Sequence, residues 1–353
     1  MPLKHIFFVV IYFCCCFTTP AAIKLEWSFC KEGSTAYLSA QVPGTVHQDL
    51  LRHHRIPNPY WGTNIDSIQW VGKSNWVYQT QFNYTIHNQH KQPIQLVFES
   101  IDTYADIYFN NVLIGKTDNM FRTWRFDISK LIQAKNNTLK VILYGIEPKA
   151  DSLAKQYATV LPCENTRNFV RKAQYHFGWD WAPRLNTIGF AYPITISLTP
   201  RVFVESLTVN TLSISESNKA KLSLNFQIQK GQEKLVCKST YFTDIEISEK
   251  SPMDISEPSA QRVSFDLHAD KVLSNAQLWW PVGQGAQHLY ADTLRFYDLN
   301  GALVYAYPFT FGIRKAELIQ ETDQWGTSFV FQINGRQIFA KGANVIPPGI
   351  FAG

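Results

Sequence analysis

The sequence predicts a mainly β protein: a β-sandwich of jelly-roll type, then an immunoglobulin-like sandwich, then a further change of pattern near the end. Three observations predict it. From Trp76 onward, short strand-like runs alternate with turn residues, with few long helical patterns. After Thr199-Pro200 the pattern restarts, and the 353 residues are enough for two or three domains. Aromatic content of 14% with only 17% charged residues fits well-packed β-structure better than disorder or coiled coil.

Taken in order, the first helical candidate is Val46 to His54, where Thr45 can cap a short amphipathic turn. Trp76 to Thr85 alternates as a half-buried strand does, and Ile94 to Glu99 is a short apolar run. Asp106 to Asn110 and Val112 to Ile114 flank Asn110-Asn111, a hairpin-type turn, and Thr138 to Tyr144 gives another strand. A weaker helical pattern covers Lys149 to Ala158. The second sandwich draws on Phe203 to Asn210, Lys221 to Gln229, Lys234 to Phe242, Gln261 to Leu267 and Leu289 to Tyr297. Within it, Leu278-Trp279-Trp280-Pro281-Val282-Gly283 reads as a turn-ending aromatic cluster used for core packing. Finally, Phe329 to Ile333, the tight turn Asn334-Gly335 and Gln337 to Lys341 form a hairpin leading into an apolar strand. Little sequence follows to cover that strand, which reads as truncation.

Residues 1–22 read as a secretory signal peptide. Lys4 and His5 precede an apolar run from Ile6 to Phe17, and small residues follow, with cleavage expected near Ala21 or Ala22. The run is shorter than the roughly 20 residues that span a bilayer, and no later run is long enough, so no membrane partner is expected. The net charge of +5 is dispersed, which argues against a nucleic-acid partner. Three of the six cysteines lie in the signal, and Cys30, Cys163 and Cys237 form neither a disulfide framework nor a metal-ligand spacing. Asn83-Tyr84-Thr85 and Asn136-Asn137-Thr138 are glycosylation acceptors for a eukaryotic host, at Asn83 and Asn136.

The richest segment is Gly178-Trp179-Asp180-Trp181-Ala182-Pro183-Arg184, one carboxylate between two indoles. Indoles pack on the C–H face of a pyranose while a carboxylate accepts hydrogen bonds from its hydroxyls. The competing reading is structural: buried tryptophans, with Asp180 an ion-pair partner of Arg184. In a regular strand Trp179 and Trp181 would share a face opposite Asp180. The flanking Gly178 and Pro183 favour instead a loop or strand end where all three side chains reach one cavity.

At this point the chain resembles the β-mannosidases of glycoside hydrolase family two. The resemblance is carried by Val42 to Leu51, Ile56 to Gly62, Phe98 to Asp106 and Asp118 to Arg122, and above all by Val170 to Arg184. It continues through Trp279-Trp280-Pro281, Gly283, Phe311 to Arg314 and Lys341 to Asn344. It implies the domain order 1–22 signal, 23–200 jelly roll, 201–313 immunoglobulin-like sandwich and 314–353 the first strand of a truncated (β/α)₈ barrel. It also implies a retaining exo-hydrolase that removes terminal β-linked mannose with no metal or organic cofactor. Trp179, Asp180, Trp181 and Asn344 would contact the sugar, and the catalytic glutamates would lie beyond Gly353. No pair of carboxylates in these residues reads as catalytic; Glu99, Asp102 and Asp106 read as solvated or structural. A non-catalytic carbohydrate-binding β-sandwich is the alternative for the chain as it stands.

Overall fold

The computed structural model describes residues 25–85, 92–157, 165–230, 234–242, 245–249, 263–347 and 349–351. The expected signal segment and Cys163 lie outside them. The chain divides into two compact units, one running to Thr199 and including the residues from Pro347 onward, the other Pro200–Ile346.

In the first unit, six antiparallel strands form one sheet in the order Leu38–Ala40, Trp27–Lys31, Trp76–Phe82, Asn137–Leu143, Tyr104–Phe109, Val112–Asp118. A second sheet pairs Ile194–Leu198 with Ile94–Phe98 and the latter with Trp124–Asp127. Alternation decides what each strand buries: Asn137, Leu139, Val141 and Leu143 point inward while the residues between them are half-exposed. Both sheets contribute to a single core that includes Phe29, Tyr78, Ile107, Leu96, Phe98 and Phe126. Full burial of each such side chain contributes about 1.5–3 kcal/mol.

The helix Val46–Arg52 starts where the sequence places it. Thr45 caps it in a capping box: Gln48 N–H donates to Thr45 Oγ1 at 3.4 Å, and Gln48 Oε1 accepts from Thr45 N at 2.8 Å. Asn110 and Asn111 both have positive φ, 47° and 66°, which matches the right-handed twist of the flanking strands. The weaker helical pattern becomes Ile146–Ala154, beginning earlier than the sequence expectation.

The second unit holds a four-stranded sheet, ordered Val202–Ile214, Ala220–Lys230, Val263–Leu273, Glu246–Glu249. A three-stranded sheet, ordered Val236–Lys238, Tyr290–Tyr297, Leu303–Phe311, joins it around Leu222, Leu224, Phe226, Leu294 and Phe296. Four strands facing three is the immunoglobulin-like arrangement. The expected core pair Trp279 and Trp280 is instead only half-buried. Arg314 lies 4.7 Å over the first ring and Arg336 4.8 Å over the second, so cation–π contact replaces apolar burial. Beyond this sandwich, Ala316–Ile319, Val330–Ile333 and Arg336–Ile338 make a small antiparallel sheet closed by the Asn334-Gly335 turn. Residues 339–347 form no strand, and none of the described residues pairs with them. Among the described residues, no helix is long and apolar enough to cross a membrane.

Candidate functional site

The Gly178–Arg184 segment folds as a β-hairpin. Phe177–Trp179 pairs with Ala182–Arg184, Trp179 opposite Ala182, so Asp180 and Trp181 are its two-residue turn. Gly178 takes φ +90°, a conformation that a side chain disfavours. The strand parity that would have separated Asp180 from the indoles therefore does not apply at the tip. Trp179 is 59% exposed and Trp181 38%, so neither ring lies in the core of this unit. Asp180 is also exposed. Arg184, the expected partner of Asp180, instead donates to Glu147 Oε1 at 2.9 Å.

What holds the hairpin is a set of contacts at its root. Arg167 donates to the carbonyls of Phe177 and Gly178, each at 3.1 Å, and its guanidinium lies 5.8 Å from the Trp179 ring. Gln69 Nε2 donates to Arg184 O at 2.8 Å. Glu147 joins Arg184, Asn186 and, at 3.3 Å, Lys73. Burial raises the Glu147 carboxyl, but Arg184 and Lys73 outweigh burial and hold it below the ordinary carboxylate value. Trp181 leans on Tyr175, with centroids 5.8 Å apart.

A buried polar cluster lies among the residues that lead into and out of the hairpin. Lys172 Nζ reaches Asp102 Oδ2 at 2.7 Å and Thr187 O at 2.7 Å, with the lysine side chain wholly buried and that of Asp102 3% exposed. Thr187 Oγ1 donates to the same carboxylate oxygen at 2.8 Å. Burial raises the Asp102 carboxyl, yet the Lys172 and His176 charges and the bonds from Lys172 and Thr103 hold it below its ordinary value, while burial lowers Lys172. Asp102 is thus structural rather than solvated. His176, directly before the hairpin, has its Nε2 3.1 Å from Ile350 O, and a carbonyl can only accept, so Nε2 carries the proton. Burial and then the Lys172 charge lower His176 to about 4. His47 is fully buried, and neither ring nitrogen has a hydrogen-bond partner among the described residues. Burial, then Lys172, lowers it to about 3. Sequence spacing carries no signal of this cluster, because its members are scattered from His47 to Ile350.

Asn344 belongs to the other compact unit. It lies in exposed chain outside any strand. Asn83 and Asn136 are both exposed and adjoin, Asn136 N–H donating to Asn83 Oδ1 at 3.0 Å.

A first β-sandwich that carries an exposed aromatic-acid-aromatic hairpin and, in the other unit, a second sandwich followed by a small sheet define the class of the β-sandwich domains of multi-domain glycosidases. The family models agree: residues 27–191 match the glycosyl hydrolase 2 galactose-binding domain-like model, and residues 202–314 match glycosyl hydrolases family 2. The chain belongs to glycoside hydrolase family 2. It is 31% identical to a β-mannosidase of Rattus norvegicus over 94% of its own length and 39% of that protein's. It is likewise 31% identical to β-mannosidase B of Emericella nidulans, over 93% and 39%. The solved β-D-mannosidase of Dictyoglomus thermophilum superposes with a TM-score of 0.79 at 35% identity, covering 93% of this chain and 40% of that one. Amycolatopsis orientalis exo-chitosanase, at 17% identity and a TM-score of 0.60, shares the fold. The chain therefore spans about two fifths of the length of the relatives it matches.

Proposed function

We propose that these residues are the N-terminal portion of a retaining exo-β-mannosidase, and that their contribution to the site is one wall of the sugar pocket. The observation that carries this reading is the exposed tip Trp179-Asp180-Trp181. Exposing two indoles is unfavourable unless they meet something, and a carboxylate held between them makes the tip suited to a hydroxylated ring rather than to an apolar partner. Residues 314–353 are read as the start of the catalytic barrel, and Asn344 as a second sugar contact.

Retaining hydrolysis needs two carboxyl groups about 5–5.5 Å apart, one nucleophilic and one acidic. Asp102 is held by Lys172, and the chain spans about two fifths of its relatives' length, so the reading assigns the catalytic pair to sequence beyond Gly353. Within these residues the work is binding: Asp180 accepts from non-reacting hydroxyls while the indoles exclude water from the C–H face. The family's β-mannosidase members support mannose as the sugar, and the reading calls on no metal or organic cofactor. The signal-like residues 1–22 support a secretory route, along which the adjoining Asn83 and Asn136 would meet the glycosylation machinery.

Assaying full-length protein against aryl β-mannoside, β-galactoside and β-glucuronide tests the reading. Preference for the mannoside supports it, and preference for either other substrate overturns it. Saturable glycan binding with no turnover of any of the three would favour the carbohydrate-binding alternative.

A further inference from the structure

The first unit carries a cavity of about 660 Å³ that the hairpin does not line. Its floor comes from the strands Tyr104–Phe109 and Val112–Asp118, and its sides from the helix Ile146–Ala154 and the chain near Phe169 to Arg171. That volume falls within the range of small-molecule sites. Tyr104 and Asp106 alternate along one strand and so share a face of the sheet.

Asp106 is the chemical centre. Its side chain is 9% exposed, and Oδ2 accepts from Lys116 Nζ and from the Tyr144 hydroxyl, both at 3.1 Å. Both bonds fall on one oxygen. Oδ1 is left as an acceptor beside the Lys116 donor, the arrangement that two vicinal hydroxyls complement. A second acceptor–donor pair, Asp118 and Arg171 at 3.7 Å, is largely exposed. Tyr104, Tyr144 and Phe169 line the same cavity.

The lining selects among ligand classes. An apolar ligand would cover the Asp106 carboxylate without bonding it, which is costly. An anion would meet Asp106 and Asp118, and the cations that could attract it already face those carboxylates or, as Lys149 does at 5.8 Å, the Tyr104 ring. A neutral polyhydroxylated ring uses the donors, the acceptors and the aromatic faces together.

We propose that this cavity is a second glycan site, which holds a neutral pyranose without acting on it. The proposal goes beyond the hydrolase reading and stands or falls independently of it. Saturation-transfer NMR on the full-length protein tests it, with methyl α-D-mannopyranoside and methyl β-D-galactopyranoside as neutral probes and glucuronic acid as the anionic one. The expected result is saturable binding of a neutral glycoside that Asp106→Asn weakens at least about tenfold, that Arg171→Ala also weakens, and that Asp180→Asn leaves in place. Arg171 is 70% exposed, so its variant folds even if Asp106→Asn does not. Three results overturn the proposal: no saturable binding of either neutral probe, binding that Asp180→Asn abolishes and Arg171→Ala spares, or preference for glucuronic acid.

Discussion

Mild acid should destabilise this protein through two buried histidines. His47 and His176 are 0% and 1% exposed, and burial beside Lys172 lowers them to about 3 and about 4. In the unfolded chain both return to about 6.5, so below that pH the unfolded state binds protons that the folded state refuses. Because the folded values are depressed, their stabilising contribution is complete above about pH 6.5 and is lost as pH falls toward the folded values. At about pH 5 the loss is roughly 2 kcal/mol for each histidine, about 4 for the two, a large share of the 5–15 kcal/mol that folded proteins have. The Asp102 and Glu147 carboxyls, both held low, give up their contribution only in stronger acid. Asp49, raised by burial, offsets part of the loss within the carboxylate range. Urea unfolding at about pH 7.5, 6 and 5 measures the slope, and His47→Phe should roughly halve it, since that ring makes no hydrogen bond to lose. A midpoint unchanged from about pH 7.5 to 5, or a slope untouched by His47→Phe, would refute the reasoning.

Two further outcomes concern local structure. Thr45→Ala removes the side-chain half of the capping box on Val46–Arg52, leaving the bond from the residue 45 backbone N–H to Gln48 Oε1, and should cost about 1 kcal/mol, read from urea unfolding at neutral pH. Glu147→Gln keeps the shape but removes the charge that Arg184 and Lys73 share; with Glu147 18% and Arg184 29% exposed, solvent screening limits the loss to about 1 kcal/mol. Its sharper signature is local: amides of Phe177–Arg184 should exchange faster while those of the Asn137–Leu143 strand are unchanged.

Much of the fold was legible because local rules governed it. Alternation found the central strands, paired asparagines found the hairpin at Asn110-Asn111, and a capping residue fixed the start of the Val46 helix. Trp27–Lys31 and Trp124–Asp127 were not legible because runs of 5 and 4 residues are too short for alternation to stand out, and Leu303–Phe311 because it is a nearly continuous apolar run that contains Pro308. In the candidate site, residue types and flanking glycine and proline identified the tip, but its two-residue turn depends on pairing across the hairpin. The Asp102, Lys172 and His176 cluster was illegible for a different reason. Asp102 and Lys172 are 70 positions apart, and only the finished sandwich brings them together.

The most direct test of the account is Asp180→Asn in the full-length protein, assayed on aryl β-mannoside. If Asp180 accepts charge-assisted bonds from mannose hydroxyls, kcat/KM should fall about tenfold to more than a hundredfold, with an unchanged melting temperature. The loss should appear mainly in KM if the contact is equal in ground and transition states, and in kcat if it tightens on the way. A kcat/KM within about twofold of the parent, accompanied by a lower melting temperature, would contradict the account and make Asp180 a structural residue of the hairpin.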